Sequence, residues 1–62
     1  MKTIVILTQR DMLGTIAEFT LMLADDENRL PLDTADRLPE AMRRASELRR
    51  EHRAAGVALE GV

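Results

Sequence analysis

The chain has 62 residues, 45% of them apolar and 32% charged, with a net charge of −2, no cysteine, no tryptophan, no tyrosine and one histidine. That composition describes one foldable globular domain; it excludes a disulfide framework, nearly excludes a structural zinc site, and disfavours non-specific nucleic-acid binding, which needs an overall basic domain. A chain this small buries only about 60% of its unfolded surface, so roughly 90 kcal/mol of apolar burial meets a conformational-entropy cost of about the same size, and a second copy of the chain is the remaining source of stability.

Taken in chain order, residues 2–7 form an apolar, β-branched stretch that reads as a short strand. Ile4 and Ile6 lie on one side of it and Val5 and Leu7 on the other, so it needs cover on both faces. No second strand is evident, and pairing with the same strand of a second copy satisfies its backbone groups. The opening residues imitate a secretory signal, but Gln9, Arg10 and Asp11 end the apolar run too early, which points to the cytoplasm. The longest apolar run, Ile4 to Leu7, is far short of a membrane span.

Thr8 suits a helix N-cap with Asp11 three residues on, predicting a first helix over about residues 9–25. Met12, Ile16, Phe19 and Leu23 line one edge of it, and Leu13, Ala17, Thr20 and Ala24 widen its apolar face to roughly 160°. Gly14 has no helical rationale. Residues 26–35 read as an acidic connector, pinned to the core by Leu30 and Leu32. A second helix is expected over about 36–55, capped by Asp36, with Pro39 in its first turn and Gly56 in the left-handed position after its end. Leu38, Ala41, Ala45, Leu48 and His52 share a face of about 80°, shallow at the two alanines, with Met42 at its edge. Residues 56–62 read as a tail, frayed unless docked.

The expected fold is therefore mainly α, a β-α-α chain of one domain, intertwined with a second copy through paired N-terminal strands. Its interface between copies is expected at Ile4, Val5, Ile6, Leu7, Ile16, Phe19 and Leu23 of the first two elements, and at Ala41, Ala45, Leu48 and His52 of the last.

Candidate chemistry is sparse. His52 is central on an apolar helix face, and Ser46, six residues away, points elsewhere, so no nucleophile–base pair forms and no catalytic residue is expected. The acids at 25–27 and 33–36 flank Arg29, Leu30, Pro31 and Leu32, which is not the alternation of oxygen ligands a calcium loop requires; no metal or cofactor is expected. The charges are unevenly divided: residues 1–36 sum to −4 and residues 37–62 to +2. Arg43, Arg49, Arg50 and Arg53 form an arginine flank beside the apolar seam of the second helix, a composition suited to a protein-binding patch.

The order strand, helix, helix over residues 2–55 resembles that of the ribbon-helix-helix repressors. The resemblance implies a homodimeric DNA-binding regulator whose paired strands enter the major groove. Against it stand the apolar centre of the strand, with only Lys2 and Thr8 as polar flanks, and the acidic connector, which would repel phosphates. The reading favoured by the residues is a small cytoplasmic homodimer, an adaptor, inhibitor or regulator of bacterial or phage origin that binds a partner protein.

Overall fold

A computed structural model describes residues 1–61 and gives the element order β1 (Thr3–Arg10), β2 (Ile16–Ala24), β3 (Arg29–Ala35), α1 (Leu38–Glu51) and β4 (Val57–Glu60). The strands form one sheet in the order β3-β2-β1-β4, with β1–β2 and β2–β3 antiparallel and β1–β4 parallel. The architecture is mainly β with a single helix. This overturns the expected β-α-α chain, and each departure has a local cause.

The expected first helix is the β1–β2 hairpin. Asp11-Met12-Leu13-Gly14 is a turn: the Gly14 N–H donates to the Asp11 carbonyl at 3.1 Å, and the Asp11 N–H donates to the Thr15 carbonyl at 2.9 Å. The Asp11 carboxylate accepts from the N–H groups of Leu13 and Thr15 at 2.9 and 3.0 Å. Gly14 sits at φ +82°, a left-handed position that closes a three-residue hairpin loop, which supplies its missing rationale. Asp11 thus organises a turn instead of a capping box. In β2, both alternating sides carry apolar residues, and that doubling imitates a wide helical face.

The acidic connector is the second hairpin. The Asp25 N–H donates to the Asn28 carbonyl at 2.8 Å, so Asp26 and Glu27 form a two-residue loop and β3 returns beside β2. The acids therefore close a turn in solvent and do not load the negative end of a helix. The predicted second helix is real but shorter, 38–51, with Pro39 in its first turn as expected; Arg37, not Asp36, is the N-cap and makes no side-chain capping bond. It ends at His52, and Arg53, not Gly56, takes the left-handed position at φ +54°. Within the stretch expected as a tail, Val57–Glu60 are instead β4, and Val62 lies outside the described residues.

The core lies between α1 and one face of the sheet. Ile4, Ile6, Phe19, Leu21, Ala41, Ala45, Leu48 and Ala54 are buried there, with Leu23, Leu32 and Ala35 packed around them. Ala41 and Ala45 bring the helix close to the sheet of its own chain, not to a second helix. Because β1 is paired on one side with β2 and on the other with β4, neither of its edges is free. It therefore cannot form a ribbon with its counterpart in a second copy, and the strand that a ribbon-helix-helix repressor would insert into DNA is interior here. No helix among the described residues is long and apolar enough to cross a membrane.

Candidate functional site

Three surfaces carry the exposed chemistry: the outer side of α1, the uncovered face of the sheet and the free edge of β4. On α1, Arg44 faces β3 and gathers the nearby acids. Its Nε donates to Asp33 at 2.9 Å and its Nη1 to Glu47 at 2.9 Å, with Glu51 at 4.0 Å. The hydrogen bond from Arg44, aided by the Thr34 N–H, holds the Asp33 carboxyl below its ordinary range. Since Arg44 takes these three carboxylates, Arg43, Arg49, Arg50 and Arg53 are left exposed and without an ion pair among the described residues. By helical spacing Arg43 and Arg50 share the outward side, while Arg49 lies towards the flank that carries Leu38 and Met42. Arg53 follows the helix end.

The face of the sheet opposite α1 has no layer over it, yet Val5 is only 3% exposed. The same face carries an ion pair. Arg29 of β3 and Glu60 of β4 meet through two hydrogen bonds, at 2.9 and 2.8 Å, although their strands are the two outer ones of the sheet. Three strand spacings amount to about 14 Å, so the sheet must coil for the two side chains to meet. The register places Arg29 in the row of Ala24 and Thr3, and Glu60 in the row of Leu7. The pair thus crosses the row of Met22, Val5 and Ala58 between them. The hydrogen bonds from Arg29 hold the Glu60 carboxyl below its ordinary range.

The two sheet edges differ. The β3 edge carries Pro31, which lacks an N–H, and a bulge opposite Leu21 and Met22; both are devices that discourage further pairing. The β4 edge has neither. Val57 and Leu59, which share the helix-side face with Ile4 and Ile6, are 41% and 49% exposed. Leu38 and Met42 of α1 are exposed large apolar groups on the same side of the sheet. Met12 and Leu13 project from the tip of the first hairpin.

Of the residues expected at an interface between copies, Ile4, Ile6, Phe19, Ala41, Ala45 and Leu48 are spent inside one chain, and Leu23 packs against them. Val5 is buried on the face of the sheet opposite α1, Leu7 and His52 are half-buried, and Ile16 is exposed at the start of β2. Val57 and Leu59, exposed along the free edge of the sheet, belong to the stretch read as tail. Their alternation with Ala58 and Glu60 is a strand signal, but four residues carry too little of it to be distinctive. Comparison with protein-family models, with curated proteins and with solved structures gives no match.

Proposed function

We propose that the chain is a small non-enzymatic protein-interaction module, an adaptor, inhibitor or regulator that occludes or recruits an acidic partner surface through the arginine-rich outer side of α1. One observation carries this reading: Arg44 takes Asp33, Glu47 and Glu51, and Arg43, Arg49, Arg50 and Arg53 have no ion pair among the described residues. Arginine flanking apolar groups supplies forked donors and planar stacking surface, the combination that recurs at protein-binding hot spots. Arg49 and Arg50 also sit in the last helical turn, where positive charge is favoured by the helix dipole, so they do not strain the element that presents them.

The test is differential retention of host-lysate proteins by the immobilised chain and by an Arg43→Glu/Arg50→Glu variant. The reading expects the variant to keep its Tm and to lose retention by about tenfold or more, equivalent to about 1.4 kcal/mol. Equal retention by both chains overturns it. Duplex DNA binding that falls steeply with salt, and is abolished by the same reversal, would replace the protein partner with a nucleic acid.

A further inference from the structure

We infer that the free edge of β4 is a self-association surface, at which two copies pair β4 against β4 antiparallel, with Val57 opposite Leu59 of the partner copy and Ala58 opposite itself. The inference rests on the backbone and is independent of the arginine surface proposed above. The Ile4 N–H donates to the Gly56 carbonyl at 3.0 Å, in the β1–β4 parallel ladder where Ile4 is paired with Val57. In such a ladder the inward hydrogen bonds fall on alternate residues, Gly56 and Ala58, so the N–H and C=O groups of Val57 and Leu59 point away from β1. These groups are the ones an added strand must meet.

A second copy meets them in one register. Antiparallel pairing of Val57 with Leu59 of the partner exchanges both backbone bonds at that pair, and two-fold symmetry repeats the exchange at Leu59 with the partner's Val57. The same register puts all four side chains on the helix side of the joined sheet, the side on which the exposed Leu38 and Met42 of each helix also lie. A shift by one residue would put Leu59 opposite Ala58 and place the two helices on opposite faces. The full set of backbone bonds and the matching of apolar faces thus meet in one two-fold register, in which a second copy has its own exposed Val57 and Leu59 covered by the same contact.

The surface area agrees with an unfinished boundary. The chain exposes 4470 Å², about a tenth more than the ~4,000 Å² expected of a compact monomer of its mass. The opposite edge is closed to pairing by Pro31 and the β3 bulge, so pairing through β4 yields a closed dimer instead of an open array.

The experiment is sedimentation equilibrium from about 1 µM to 1 mM, together with single-cysteine crosslinking, which the absence of native cysteine keeps unambiguous. The chain should sediment as a dimer. Ala58→Cys should crosslink to itself under mild oxidation, because Cα atoms of a non-hydrogen-bonded antiparallel pair lie about 4.5 Å apart, within disulfide range. Val57→Cys and Leu59→Cys should each fail to self-crosslink. Leu59→Lys should raise the dissociation constant at least about tenfold while the chromatographically isolated monomer keeps its far-ultraviolet circular dichroism. A monomer at 1 mM overturns the inference, as does a dimer that Ala58→Cys does not crosslink. The Arg43→Glu/Arg50→Glu variant should remain dimeric, so loss of partner capture with dimerisation intact separates failure of one reading from failure of the other.

Discussion

Arg53 closes α1 in a left-handed conformation that ordinarily falls to glycine. The Ala54 N–H donates to the Arg49 carbonyl at 2.9 Å and the Arg53 N–H to the Arg50 carbonyl at 3.4 Å, the paired bonds of a Schellman motif, with buried Ala54 beside Leu48. A side chain at φ +54° costs about 1 kcal/mol over glycine, so Arg53→Gly should raise Tm by a few degrees in thermal denaturation. Gly14 shows the converse. A Cβ there would meet no atom within 4 Å, so Gly14→Ala should lower stability only by the conformational cost of φ +82°, about 1 kcal/mol. Thr8 is buried, and its hydroxyl has no hydrogen-bond partner among the described residues. Thr8→Val, which keeps the shape and removes the unsatisfied group, should stabilise by up to about 1–2 kcal/mol in urea titration. Asp11 and Gly14, at the first and fourth positions of a turn, were readable as a hairpin signature. Arg53 was not, because its conformation is imposed by the helix end and the path to β4.

At the scale of elements, β2 decides the fold. Its Phe19, Leu21 and Leu23 face α1 and its Thr20, Met22 and Ala24 face the other way, so apolar groups occur at both the strand and the helix period. Periodicity alone cannot separate the two readings, whereas the turn at 11–14 and the partner strand can. Leu21 is fully buried between Ile6 and the helix layer, and Leu21→Ala should cost about 2–5 kcal/mol. The alanines of α1 set the spacing of helix and sheet. Ala45→Leu should therefore destabilise by about 1–3 kcal/mol through overpacking, although the larger residue is the more hydrophobic; chemical denaturation reads both changes.

For the whole molecule, two charged links tie separate elements together: Arg29–Glu60 from β3 to β4 across the sheet and Asp33–Arg44 from β3 to α1. Glu60 and Asp33 have carboxyl groups held below their ordinary values by these arginines. Their stabilisation is complete above the unfolded pKa values, about 4, and is lost as pH falls from there through the lowered folded values. Acid titration of stability should show a loss over that window. A Glu60→Gln/Asp33→Asn variant should be less stable at neutral pH and show a shallower acid limb.

Composition by itself determined a small chain without disulfides and with little margin of stability, and local chemistry determined a strand near the N-terminus and a proline-started helix with an alanine-lined face. Those features depend on residues close together in sequence. Only the tertiary structure decided that residues 16–24 are a strand, that β1 is paired on both sides, and that residues 57–60 form an edge instead of a tail. Each of these depends on backbone hydrogen bonds to residues far along the chain, and such bonds are made by N–H and C=O groups that every residue type but proline presents alike. The need for added stability was visible in the length, while its proposed location, the outward groups of Val57 and Leu59, emerged only once β1 had been seen to hold β4 by the other side.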